Sequence, residues 1–171
     1  PRRKGKYSDV LREERALKGL TRADAVRMLR SRTYFGSMMV ALDDADGLVG
    51  GIDRHYPDIL RPCLHTIGTA PDVERLVGMY MMTIKGQLLF IGDATINIYP
   101  DSQTLAEIAI ETAKMARRFG VKPVVAMLSF SNFGSSKEYR STRIEDAIKI
   151  VKERDPSLII DGPMQADTAL V

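Results

Sequence analysis

The sequence predicts a three-layer α/β/α fold on a mainly parallel sheet, and three observations carry that prediction. The second half of the chain alternates strand, helix, strand, helix, strand, the pattern of α/β domains. The segment "KPVVAMLS" is an unbroken apolar run, as expected of a strand buried on both faces. Both helices in that half carry an apolar face and a charged one at helical spacing.

The elements follow in order. The chain opens on a basic helical stretch, "PRRKGKYSDV". Thr21 followed by Asp24 predicts a helix start, and Ala25, Val26, Met28 and Leu29 supply its apolar positions. "GSMMVALDD" reads as a strand ending at a turn, and "GLVGG" as a short buried strand. Pro57 suits the first turn of a helix reaching His65. "LVGMYMMTI" and "QLLFIGD", joined by Lys85-Gly86, read as two strands about a tight turn. In "DSQTLAEIAIETAKMARRFG" residues Leu105, Ile108, Ala109, Thr112, Met115, Ala116 and Phe119 share one face, and Gly120 stops the helix. A helix from about Ser141 to Arg154 follows the strand after Lys122. "SLIID" is the last strand, broken by Gly162-Pro163.

Composition bounds the function. A chain of 171 residues, 44% hydrophobic and 27% charged, can bury one sizeable core. No apolar run is long enough to span a bilayer, and the basic N-terminus lacks the apolar segment of a secretory signal. Cys63 is the single cysteine, so no internal disulfide forms, and a cytoplasmic setting is expected. It is expected to be a small buried thiol. Arg2, Arg3, Lys4, Lys6, Arg27, Arg30 and Arg32 supply much of the net charge of +3. They lack interleaved aromatics, so they read as a solvated helix face, and no nucleic-acid or membrane partner is expected.

Four polar segments follow apolar runs: Gly50 to His55 (with Arg54), Asp93 to Asn97, Ser129 to Ser136, and Asp161-Gly162. In a parallel sheet they would gather at the carboxyl edge, where ligands bind. The segment "LSFSNFGSSK" offers hydroxyls, an amide and close backbone approach at Gly134, ahead of a helix start. It is either a loop for an anion such as phosphate or a polar connection. Arg61 sits in the otherwise apolar "ILRPC". It is either an ion pair with Asp58 or a clamp for a phosphate or coenzyme. "DDADG" reads as a turn rather than a metal site. His55, His65 and Cys63 lack metal spacing, so no metal is expected in this segment. Neither a P-loop nor a dinucleotide fingerprint is present.

Three stretches together resemble the phosphate acetyl/butaryl transferase family. They are "DADGLVGG…YPDILRPCLHTIGT", "LLFIGDATINIYPDSQTLAEIAIETAKMARRFGVKPVVAMLSFSNFGSSK" and "IDGPMQADTALV". The resemblance implies two α/β/α subdomains about a cleft, similar to isocitrate and isopropylmalate dehydrogenases. Residues 1–65 would end the first subdomain and 66–171 would form the second, with the family's C-terminal part missing. It also implies acetyl-CoA or CoA and an acyl phosphate as ligands, and a homo-oligomer. Family enzymes pass an acyl group between coenzyme A and phosphate by direct thiol attack, without a metal. The resemblance assigns Ser129, Ser131, Asn132, Gly134 and Ser135 to the acyl/phosphate loop. It assigns Arg61, Arg54, Asp161 and Gly162 to coenzyme A or anion contact.

Two departures from the family pattern point to one branch. Arg54-His55-Tyr56-Pro57-Asp58 stands where transferases carry His-Ser-Thr-Ala-Asp, and Ser131-Asn132-Phe133-Gly134-Ser135 where they carry Ser-Thr-x-Gly-Ser. With "RTYFGSMMV", these resemble the C-terminal domain of large NADP-dependent malic enzymes. The implied function is then an acetyl-CoA-binding regulatory domain, allosteric rather than catalytic. Its parent would be an oxidoreductase carrying NADP and a divalent metal in a domain absent here. The alternative is an active phosphate acetyltransferase.

Overall fold

A computed structural model describes residues 2–71, 73, 75–133 and 139–171. The chain divides into two compact units, residues 1–74 and 75–171.

The first unit is helical. Helices α1 (Arg2–Glu14), α2 (Arg22–Met28), α3 (Arg32–Ala41) and α4 (Tyr56–Thr66) build it. Tyr7 and Leu11 of α1, Ala25 of α2, Leu29 just past its end, and Met38 of α3 are buried together. Tyr7 brings a hydroxyl into this core and satisfies it by donating to the Asp44 carboxylate. Burial raises the Tyr7 phenol above its ordinary value, and the same hydrogen bond lowers the Asp44 carboxyl. Helix α2 begins where expected: Thr21 Oγ1 accepts from Asp24 N at 3.2 Å, and Asp24 answers at Thr21 N. Pro57 lies in the first turn of α4 as expected, while Pro62 sits buried inside the helix.

Two expected strands are absent from this unit. "GSMMVALDD" lies largely in α3, because Phe35, Met38, Met39 and Leu42 recur at helical spacing and all face the same core. A five-residue apolar run, Met38 to Leu42, fits either period, and Phe35 ahead of it decides for the helix. "GLVGG" has no regular structure: Val49 is fully exposed, and Leu48 folds against Gly36 of α3. A Cβ at Gly36 would come within 2.7 Å of Leu48 Cδ1. "DDADG" is the turn expected, with Asp43 at φ 55° and its N–H donated to Val40 O.

The second unit holds β1 (Met79–Ile84), β2 (Gln87–Gly92), α5 (Ser102–Arg118), β3 (Val124–Leu128), α6 (Tyr139–Arg154), β4 (Ile159–Met164) and α7 (Ala166–Leu170). β1 and β2 form an antiparallel hairpin through Lys85-Gly86, both at positive φ, as a two-residue hairpin turn requires. Tyr80, Met81, Met82, Ile84 and Leu88 are 41–52% exposed, so only the far end of the hairpin is well packed. There Phe90 meets Phe119 at 5.8 Å between ring centroids, and Gly92 lets α5 come close. A Cβ on Gly92 would lie 2.5 Å from Thr112 Oγ1.

Asp101 caps α5 by accepting from Thr104 N at 2.8 Å. The buried stripe is Ala106, Ala109, Ala113 and Ala116, with Ile108, rather than the larger residues alone. Small side chains allow α6 to pack closely with Ile144, Ala147, Ile148 and Val151, over Met127 and Ile160. Gly120, at φ 73°, ends the segment as expected.

β3 and β4 pair in parallel: Val124 faces Ile159, Ala126 faces Asp161, then the register slips and Leu128 faces Met164. The last strand therefore passes through Gly162-Pro163 instead of breaking there. Gly162, at φ 140°, is the residue that allows it, since any Cβ would meet Met127 O at 2.6 Å. The parallel sheet is smaller than expected. Among the described residues there are two two-stranded sheets, one antiparallel and one parallel, in place of one mainly parallel sheet. Among the described residues no helix is long and apolar enough to cross a membrane.

Candidate functional site

Of the four polar segments expected at one edge, one lies there: Ser129 to Phe133, directly beyond the carboxyl end of β3. Gly50 to His55 belongs to the helical unit and follows no strand. Asp93 to Asn97 leaves a strand of the antiparallel hairpin. Asp161-Gly162 lies inside β4.

The Ser129 loop is anchored by backbone. Ser129 N donates to Met164 O at 2.8 Å, continuing the ladder one residue past β3. Phe133 N donates to Pro163 O at 2.8 Å, so the chain leaves β4's end and returns to it. Phe133 takes φ 36°, and both Phe130 and Phe133 are over half exposed. Ser131 is buried, and its N–H lies 3.5 Å from Ser129 Oγ.

Asn132 is held from across the sheet. Its Oδ1 accepts from Gln165 N at 2.7 Å, and its Nδ2 donates to Gln165 Oε1 at 3.1 Å. Gln165 Nε2 in turn donates to Phe130 O at 2.9 Å. Gln165 was missed in the sequence because the strand was expected to end at Asp161, four residues earlier. Asp161 Oδ1 accepts from Gly162 N at 2.8 Å, and Gly162 lies against Met127. Gly134 and Ser135 lie outside the described residues.

The structure thus places Ser129, Ser131, Asn132, Asp161 and Gly162 in one unit, at or beside the β3–β4 pair. Arg54 and Arg61 belong to the other unit. Arg54 is exposed beside Asp53 at 3.8 Å, a surface pair worth little. Arg61 is exposed on α4, and among the described residues no ion pair joins it to Asp58. Its guanidinium is one of three nearby cations that, after burial itself, lower the His65 imidazole. That ring's Nδ1 lies 2.7 Å from the Tyr34 hydroxyl. Cys63 is half-buried and burial pushes its thiol up, which disfavours a thiolate at neutral pH.

The Asp93 segment is a second polar loop of different character. Asp93 Oδ1 accepts from Ile96 N and Oδ2 from Asn97 N, both at 2.9 Å, and Asn97 Nδ2 also donates to Oδ2. Beyond it, Arg75, Asn97, Tyr99 and Asp101 border a shallow hollow of about 320 Å³. Sequence reading gave no hint of that hollow.

The parallel strand pair with a polar loop past its carboxyl end defines an α/β protein, and that edge is where ligands bind in such sheets. Comparison with known proteins sharpens that class. The model of the phosphate acetyl/butaryl transferase family matches residues 1–171. The chain belongs to that family.

Curated relatives agree. A phosphate acetyltransferase of Bacillus subtilis is 44% identical over 88% of this chain and 47% of its own length. One from Deinococcus radiodurans is 40% identical over 98% of this chain and 24% of its own. Among solved structures, the EutD phosphotransacetylase from Staphylococcus aureus matches 98% of this chain with TM-score 0.81 and 40% identity. A phosphotransacetylase from Streptococcus pyogenes matches 97% with TM-score 0.85 and 38% identity. These matches cover 52% and 51% of those chains, so this chain spans about half the length of such relatives, or less.

These similarities overturn the regulatory reading. At 40–44% identity over most of the chain, the relatives are named phosphate acetyltransferases, not malic enzymes. The oxidoreductase, NADP, divalent metal and allosteric role expected of a parent chain rested on that reading and fall with it. The two local departures misled because they are short. Asn132 in place of a threonine is one residue against a match spanning the whole chain.

Proposed function

We propose that this chain is part of a phosphate acetyltransferase, moving an acetyl group between coenzyme A and orthophosphate. The observation that carries the reading is the loop Ser129 to Phe133 beyond a parallel strand pair, in a chain 40–44% identical to named phosphate acetyltransferases. Acetyl phosphate would enter with its phosphoryl oxygens against this loop. Ser129, Ser131, Gly134 and Ser135 would supply hydroxyl and backbone donors, with Asp161 and Gly162 alongside. The coenzyme A thiolate would attack the acetyl carbon, forming the thioester as the phosphate leaves with the electron pair of the C–O bond. Arg61 and Arg54 would meet the phosphates of the coenzyme, where a guanidinium fork suits two oxygens at once. Fixed donors lower the barrier by meeting the charge that develops on the carbonyl oxygen and the departing phosphate.

The test is thioester formation from acetyl phosphate and coenzyme A by the purified full-length protein that carries this chain. Turnover that falls by about a hundred-fold or more in Ser129→Ala supports the reading, the usual scale for removing a donor to developing charge. No thioester above the protein-free rate, or turnover untouched by both Ser129→Ala and Arg61→Gln, overturns it.

A further inference from the structure

We infer that Gln165 is a positioning residue for the Ser129–Phe133 loop, and that Asn132 acts as its strut rather than as a ligand of the anion. The inference rests on the transferase reading for what the loop binds, but its geometry stands by itself. Asn132 and Gln165 exchange bonds across 33 residues of sequence, and Gln165 reaches two residues further back to the Phe130 carbonyl. Both functional ends of the Asn132 carboxamide are taken: the oxygen by a backbone N–H, the nitrogen by the Gln165 oxygen. Its orientation is set by the protein before any ligand arrives.

These bonds are exposed, so water could satisfy every group if the loop were elsewhere. They are not needed to rescue buried polar atoms. What they accomplish is geometric. The loop is already pinned at its two ends by Ser129 N and Phe133 N. The Gln165 side chain pins its middle, at Phe130 and Asn132. Three points fix a loop's shape where two fix only its ends, and a fixed loop spares the ligand the ordering cost of binding. A carboxamide at 132 is suited to this because its acceptor and donor sit on separate atoms. A single hydroxyl offers both functions from one atom on a shorter stem.

The experiment is an NMR comparison of wild type, Gln165→Ala, Gln165→Glu and Asn132→Ala, first without ligand and then titrated with orthophosphate. Without ligand, Gln165→Ala is expected to increase picosecond–nanosecond backbone motion at Phe130 to Asn132, while the amides of β3 and α5 stay as in wild type. Gln165→Glu keeps an acceptor for Asn132 Nδ2 and is expected to restore part of that order. Unchanged loop relaxation in Gln165→Ala overturns the inference whatever the loop binds.

With orthophosphate, Gln165→Ala and Asn132→Ala are each expected to weaken binding by roughly ten-fold, the scale of two lost hydrogen bonds. The two variants share one bond and the double removes three in all, so its loss should fall short of the sum of the two single losses. Additive losses would show that Asn132 touches the anion directly, and would overturn the strut. If wild type binds no orthophosphate while the relaxation differences persist, the transferase reading fails and the positioning role survives. In acyl transfer, the strut predicts a raised acetyl phosphate KM with kcat and coenzyme A KM within about two-fold, a pattern that general destabilisation would not give.

Discussion

The two polar loops of the second unit leave apolar strands in the same way and end differently. The Asp93 loop is closed largely by its own carboxylate, which collects two backbone N–H groups and an amide within four residues, with Asp93 N to Gly78 O and Asn97 Nδ2 to Leu76 O tying it to the preceding chain. The Ser129 loop is closed from outside, by the end of β4 and by Gln165. A self-satisfied loop has its polar groups committed and serves as structure. A loop held from across the sheet has its backbone fixed by groups outside itself. Polarity after a strand is therefore a poor guide to function, and the source of the hydrogen bonds is a better one.

The largest expected effect strikes one loop alone. Gly162→Ala puts a Cβ 2.6 Å from Met127 O at a φ of 140° that alanine avoids. It should cost more than about 2 kcal/mol in urea unfolding and shift the amide signals of Ser129 and Phe133, leaving those of Asp93 to Asn97 in place. Asp93→Ala should do the reverse. It removes the acceptor for three donors and should cost about 1–3 kcal/mol. Orthophosphate binding should remain within two-fold of wild type, on the same order-of-magnitude scale. A loss of phosphate binding in Asp93→Ala would erase the distinction between the loops.

Asp101→Ala removes the cap of α5 and should cost about 1 kcal/mol. The cap also has a pH signature. Hydrogen bonds from Thr104, aided by Arg75, hold the Asp101 carboxyl below its ordinary value of 3.8. A carboxyl lowered by folding gives stability that is complete above 3.8 and lost as the pH falls through its folded value. The alanine variant should lose less stability than wild type across that acid range. The smallest structural effect lies in the other unit. Arg61→Gln removes one of the cations that, after burial, lower His65, so the His65 titration seen by NMR should move slightly upward. Neither loop's signals should change.

What was legible in the sequence was periodic. Helix α5, the hairpin turn at Lys85-Gly86 and the apolar β3 all announce themselves through spacing or turn chemistry. The failures have physical causes. The run around Met38 and Met39 is too short to fix its own period, and the core that decides it comes partly from Tyr7 and Leu11, some thirty residues earlier. β4 was cut short because Gly-Pro usually ends a strand, whereas here the glycine accommodates a register slip. Gln165 had no local signal, since its partners lie 33 and 35 residues away. The Asp93 loop was readable in principle: an aspartate at a strand end with amides three and four residues on is the spacing of a side chain closing its own turn.

The hairpin that precedes these loops has a consequence for the order in which the molecule comes apart. Tyr80, Met81, Met82, Ile84 and Leu88 keep much of their apolar surface in water, so parting β1 from β2 forfeits little burial. The β3–α6–β4 unit has its contacts locked around Val151 and Ala147, which are fully buried. On gentle heating the hairpin is the segment that frays first, while β3, β4 and the helix between them melt last.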